Sequence, residues 1–152
     1  MLIQFHTPEN VEKMRNGQPL GDADRWDWLI LLREEAIAAL KSSNSKGVIV
    51  TCSALKRKYR DVIRIAAYHD PAVRVNFVFL SASEAALMDR VRARKNHYMK
   101  DYMVKSQFES LETPLADEID VLSVDASGTS TEVQQLAVGV VNKVLNADKT
   151  KA

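Results

Sequence analysis

The residues best placed to do chemistry are the basic side chains of VTCSALKRKYRD, residues 50–61, and just beyond it, where Lys56, Arg60 and Arg64 recur every fourth position. Gly47–Thr51 (GVIVT) is β-branched with no polar alternation, the pattern of a central strand covered on both faces. Ser53 stands where an N-cap belongs, so the spacing predicts a helix from Ala54 to about Ala67 whose first amide groups and positive dipole end point above the sheet. In open α/β sheets ligands bind outside the carboxyl ends of the strands, which makes this a place to hold a carboxylate or a phosphate. Three basic residues on one helix face are also compatible with nothing more than a solvated surface. Cys52 reads as a small packing residue at a strand end rather than as a nucleophile.

Two further clusters carry charge. Residues 88–98, MDRVRARKNHY, hold Arg90, Arg92, Arg94, Lys95 and His97, either a lid that neutralises phosphates or a basic helix end complementing its own dipole. Residues 6–29 hold Asp22, Asp24 and Arg25 beside Trp26 and Trp28, where helix-end electrostatics and core packing compete with a binding role. No Ser/His/Asp grouping or carboxylate pair stands out, and Asp125 reads as a turn residue rather than a base.

The elements that must position these groups follow from periodicity. An apolar stub, Leu2–Phe5, precedes Thr7 as an N-cap with Pro8 at the first helical position, and that helix runs to about Met14 before Gly17 and Pro19. Asp22 caps a long helix in which Trp26, Leu29, Ile30, Ile37 and Leu40 recur at helical spacing. In the helix after GVIVT, Leu55, Tyr59, Val62, Ile63 and Ala66 share the apolar face. Val73–Leu80 and Val121–Asp125 read as strands, Ser83 as the cap of a helix, Tyr102–Leu111 as a helix, and Val133–Leu145 as an amphipathic terminal helix. Strands alternating with helices predict a parallel sheet in an α/β layer fold, here with three strands, a thin sheet that suggests a missing first βα unit.

A chain of 152 residues with 46% hydrophobic residues is long enough for one cored domain and too apolar for disorder. Twenty-one Lys+Arg against 20 Asp+Glu give a net charge of +1, which excludes a generally basic nucleic-acid binder and leaves any anion site local. No apolar run approaches a membrane span, and no signal peptide is visible. The single cysteine excludes an internal disulfide and fits a cytoplasmic setting, and His6, His69 and His97 stand too far apart to suggest a metal site.

Taken in order, five segments resemble the gluconate kinases, P-loop sugar-acid kinases similar in fold to shikimate and nucleoside monophosphate kinases. They are His6, Asn10, Lys13 and Met14 followed by Gly17, Pro19, Leu20, Asp22, Asp24, Arg25, Trp28 and Leu29; Cys52–Lys56 with Tyr59, Arg60 and Asp61; Arg94, Lys95 and His97; QFESLETP, residues 107–114; and VLSVD, residues 121–125. The resemblance implies a three-layer α/β parallel sheet of P-loop kinase type over residues 1–152 as a single domain. It implies ATP-dependent phosphorylation of D-gluconate at its terminal hydroxyl, with Mg2+, in a cytoplasmic protein that is a possible homodimer with no nucleic-acid or membrane partner. It makes Arg25, Ser53, Lys56, Arg60, His97 and Gln107 candidate substrate-binding residues, and Arg90, Arg94 and Lys95 candidate lid residues for the ATP phosphates.

The family also implies a Gly-rich Walker A loop ending in Gly-Lys-Ser, and an acidic Asp-Gly-Asp segment just before the residue matching His6. Neither occurs here, and the positions three and five before His6 are Ile3 and Met1. The expectation is therefore an N-terminally truncated kinase fold with little or no activity by itself, since phosphoryl transfer rests on the phosphate cradle. A non-catalytic sugar-acid-binding or regulatory module, and a kinase for another small acid, are the competing readings.

Overall fold

A computed structural model of the chain describes residues 6–42, 46–93 and 101–149. The stub Leu2–Phe5 and the basic residues Arg94, Lys95 and His97 lie outside the described residues. Six helices and two strands follow in the order α1 (Pro8–Arg15), α2 (Asp22–Ser42), α3 (Arg57–His69), β1 (Phe77–Ser81), α4 (Glu84–Ala93), α5 (Asp101–Glu109), β2 (Val121–Asp125) and α6 (Ser130–Lys149). They gather into two compact units. One takes in the described residues up to Val75 together with those of Val91–Thr113; the other takes in Asn76–Arg90 and the described residues from Pro114 onward.

The first unit is helical. Thr7 caps α1 as its sequence predicts, its hydroxyl accepting from the Asn10 N–H at 3.2 Å with Pro8 in the first turn. The helix ends at Gly17, whose φ of +72° suits glycine, and any Cβ there would collide with the Tyr102 hydroxyl. Asn10, buried, donates to the Asp24 carbonyl at 2.6 Å and Lys13 pairs with the Asp24 carboxylate at 2.6 Å, so α1 is pinned to the first turn of α2. The core of this unit is Trp28, Leu29 and Leu32 of α2 against Tyr59 of α3, with Cys52, Leu55, Val62 and Ile63 packed around them. The apolar face of α3 is the one its spacing predicts; that of α2 is rotated. Trp26 and Ile30 stand exposed, while Trp28 and Leu32 point inward, because α2 buries the side that meets α3. Across that contact Arg33 donates to the Val62 carbonyl at 3.1 Å.

Two expectations fail here. Gly47–Thr51 is not a covered central strand: among the described residues it has no ladder partner, and Val48, Ile49 and Val50 are exposed, Ile49 by 90%. A β-branched run specifies extended backbone, but burial comes from the neighbouring strands, and none of the described residues supplies one. Ser53 is likewise not an N-cap. α3 begins three residues later than its sequence suggests, with Lys56 at the cap position and no side-chain bond from it.

The second unit is the α/β part. β1 and β2 pair in parallel, Phe77 opposite Val121 through Ser81 opposite Asp125. The longer strand expected over Val73–Leu80 is shortened at its start because β2 offers only five partners. Ser83 caps α4 by accepting from the Ala86 N–H at 3.2 Å. α6 packs on both strands. Its start is a reciprocal capping box in which the Glu132 carboxylate accepts from the Thr129 N–H at 2.7 Å and the Thr129 hydroxyl accepts from the Glu132 N–H at 3.4 Å. Asp125 accepts from the Ser127 N–H at 2.8 Å, a turn role as expected. The parallel α/β class is borne out, with two strands among the described residues rather than three.

Candidate functional site

Within the first unit, the start of α2, the turn before α3 and the residue after α5 enclose a hollow of about 310 Å³. That is near the small end of ligand pockets, roughly 300 Å³ and upward. It is lined by Leu20, Gly21, Asp22, Arg25, Leu55, Lys56, Tyr59 and Ser110. Arg25 and Asp22 share a face because they are three apart in the first turn of α2. Lys56 and Tyr59 have the same spacing at the start of α3.

The negative pole is Asp22. Its Oδ1 accepts from Lys56 Nζ at 3.0 Å and from the Tyr59 hydroxyl, and its Oδ2 accepts from Lys58 Nζ. Those bonds, Lys58's foremost, hold the Asp22 carboxyl well below the ordinary carboxylate range, so it is ionised at neutral pH. Burial, with the Asp22 carboxylate beside it, pushes the Tyr59 hydroxyl up to about 12, so Tyr59 is a hydrogen-bond donor here.

The positive pole differs in kind. Arg25 is half-buried, its Nε donates to the Leu20 carbonyl at 3.3 Å, and its charge sits 5.7 Å from the centre of the Tyr59 ring. Its two terminal nitrogens have no hydrogen-bond partner among the described residues. The same charge reaches His6 and Cys52. The imidazole of His6, stacked on Trp28 at 4.3 Å between centroids, is lowered first by burial and then by Arg25. The Cys52 thiol is pushed up to about 12 because burial outweighs the pull of Arg25, which rules it out as a thiolate nucleophile at neutral pH.

The candidate residues therefore separate. Arg25 and Lys56 come together in the hollow. Ser53, half-buried, lies three residues before Lys56 and accepts at its carbonyl from the Leu55 N–H at 2.8 Å. Gln107, half-buried on α5, lies one turn before Ser110. Arg60 does not line the hollow. It is 3% exposed, and its Nη1 donates to the carbonyls of Ala54 at 3.2 Å, Leu55 at 3.4 Å and Glu112 at 3.1 Å. Arg90 belongs to the second unit, where its Nη2 donates to the carbonyls of Ala126 at 2.5 Å and Gly128 at 2.8 Å.

Sequence reasoning missed the Asp22 clamp, the Tyr59 hydroxyl, Ser110 and Glu112. Asp22 reads as a cap with a binding role left open, and Tyr59 as core, and neither reading pairs the two side chains. The spacing of Tyr59 three residues after Lys56 was the available signal for the clamp.

Fold and hollow together define an α/β protein with a small bipolar site, one free guanidinium fork beside an ionised carboxylate, suited to a small hydroxylated acid. No protein-family model matches the chain. A probable gluconokinase of Schizosaccharomyces pombe is 42% identical over 145 residues, covering 95% of this chain and 75% of that protein. The thermoresistant gluconokinase of Escherichia coli is 37% identical over 139 residues, covering 91% and 75%. The crystal structure of a gluconokinase from Sinorhizobium meliloti 1021 superposes with a TM-score of 0.82 at 34% identity, covering 99% of this chain and 80% of that one. The chain belongs to the gluconokinase family, a family of kinases.

That family implies the use of ATP with Mg2+. The 152 residues contain no G-x-x-x-x-G-K-[ST] loop, and Arg90 is engaged with two backbone carbonyls. Among the described residues no three His, Cys, Asp or Glu side chains gather as a metal site.

Proposed function

We propose that this chain serves a gluconate 6-phosphotransferase reaction, binding D-gluconate in the Arg25–Asp22–Lys56 hollow. The observation that carries the reading is the unengaged Arg25 fork in a hollow that also presents Asp22, Lys56 and Ser110. Gluconate has a carboxylate at one end and hydroxyls along its length. A planar guanidinium takes a carboxylate through two parallel N–H donors, and an ionised carboxylate is a strong acceptor for sugar hydroxyls. Asp22 has two oxygens with about four acceptor positions, three of which are filled, so one remains for a substrate hydroxyl. Lys56 and Ser110 supply polar partners for further hydroxyls, with Ser53, Gln107 and His97 as additional candidates. Arg60 acts through the backbone that it holds. ATP as phosphoryl donor with Mg2+, Arg94 and Lys95 as nucleotide-facing residues, a single domain over residues 1–152, a cytoplasmic setting and a homodimer complete the proposal on family resemblance; Arg90 leaves the set, because the Ala126 and Gly128 carbonyls hold it.

Calorimetric titration with D-gluconate tests it. Binding is expected, and Arg25→Ala should weaken it about 10-fold to 100-fold, the scale of a charge-assisted bidentate contact. Unchanged affinity in that variant would remove Arg25 from the site, and no binding by the unaltered chain would remove the reading. Phosphoryl transfer by the 152 residues alone is expected to be close to nil, because the loop that positions the phosphates is not among them. Brisk ADP release dependent on gluconate would overturn that.

A further inference from the structure

The helix N-terminus that the sequence offers to an anionic ligand is already taken by the chain's own carboxylate. Glu112 Oε2 accepts from the Arg57 N–H, the first amide of α3, at 2.7 Å. Two more bonds join the same places: the Glu112 N–H donates to the Leu55 carbonyl at 2.8 Å, and the Glu112 carbonyl accepts from Arg60 Nη1 at 3.1 Å. Residue 112 thus grips the α3 start at three points, one before Lys56, one just after it and one a turn further on. Lys56 itself, the cap residue, contributes no side-chain cap and is free to extend to Asp22.

We propose that Glu112 is a positioning residue for the sugar-acid site: by capping α3 from 55 residues away it fixes the Leu55–Lys56 turn and holds Lys56 and Ser110 in the lining of the hollow that Arg25 shares. The inference rests on the gluconate reading above. Its physical basis is that an uncapped first turn frays, and Lys56 lies on the hinge of that fraying. Leu55, Lys56 and Ser110 line the hollow, and the Glu112 clasp joins their two segments. A side chain that only supported the fold would alter melting but leave affinity, measured well below the melting temperature, where it was. Glu112 should alter both.

The test compares the unaltered chain with Glu112→Ala and Glu112→Gln by gluconate titration and by hydrogen exchange at the Arg57 amide. Gln keeps an oxygen acceptor, and it guards against an Ala variant that fails to fold. The expected result is faster Arg57 exchange and a gluconate Kd about fivefold higher in Glu112→Ala, the scale of losing one cap, with both restored to within about twofold in Glu112→Gln. Faster exchange with an unchanged Kd would overturn the positioning role while leaving the gluconate reading intact. Exchange and Kd both unchanged would overturn the clasp itself. Failure of the unaltered chain to bind gluconate would sink the reading and the positioning role together.

Discussion

Lys56 and Arg60 stand four residues apart, the sequence spacing of two cations on one helix face, yet the structure uses them in opposite ways. Arg60 is buried and holds three backbone carbonyls from two segments. The Lys56 side chain is 26% exposed and meets a single carboxylate, itself 38% exposed, at the edge of a hollow. The lesson is that charge and spacing nominate residues, whereas burial sorts them into scaffold and site. A buried cation must be satisfied permanently, because an unpaired one is costly in a medium of low polarity. A half-exposed cation can exchange its partner for a ligand at little cost, since exposed pairs contribute only about 0–1 kcal/mol.

The harshest way to break that comparison is Arg60→Ala. It strands the Ala54, Leu55 and Glu112 carbonyls, and the expected loss is about 3 kcal/mol in urea unfolding, in the range for buried bonds to a charged group. Arg60→Lys should recover only part of it, because one ammonium cannot reproduce the fork. A loss under about 1 kcal/mol for the Ala variant would place Arg60 with Lys56 and erase the distinction. Lys56→Ala should behave the other way. Stability is expected to stay within about 1 kcal/mol of the unaltered chain, while gluconate affinity falls about 10-fold. Equal damage to folding by both substitutions would refute the division.

A pH titration sharpens the exposed side. The folded Asp22 carboxyl is held below its ordinary value of 3.8, by Lys58 first and then by Tyr59 and Lys56. A depressed carboxyl contributes stability above its unfolded value, and that contribution fades as pH falls through the folded one. Asp24 adds the same sign through Lys13 and the Gly21 N–H. Stability should therefore decline below about pH 4. Asp22→Asn should flatten part of that decline, as should added salt, because these pairs are open to solvent. An acid limb unchanged in Asp22→Asn would mean that the clamp is not formed in solution.

The same distinction explains what the sequence could disclose. Thr7 with Pro8, the capping box of Thr129 and Glu132, the apolar face of α3 and the strand Val121–Asp125 depend on neighbours within a few residues, and all but the capping box were readable in advance. The true start of α3 depends on Glu112, 55 residues away, so a local rule placed the helix three residues early with Ser53 as its cap. GVIVT fails for a related reason: its residue types select an extended backbone, while its burial requires a strand beside it. In the site, Arg25 and Lys56 were visible as cations. The partition between Arg60 and Lys56 was not, because it is decided by which carbonyls lie within reach after folding.

Cys52 supplies the smallest and most discriminating measurement, because it feels both sides of the comparison. Burial among Trp28, Leu29 and Tyr59 pushes its thiol up to about 12, against the opposing pull of the Arg25 charge. Relative to an ordinary thiol at 9.0, that rise leaves far less thiolate at pH 8, and alkylation of the folded chain by iodoacetamide should be much slower than that of an exposed cysteine. Unfolding in urea should restore ordinary labelling. If Arg25 receives the sugar-acid carboxylate, its charge is partly neutralised, the remaining downward pull on Cys52 weakens, and gluconate should slow the labelling further by a small factor. Arg25→Ala should slow the unliganded chain in the same direction and abolish the gluconate effect. Rapid labelling of the folded chain would show that the turn before α3 is open to solvent, and the buried scaffold assigned to Arg60 would then have nothing to hold in place.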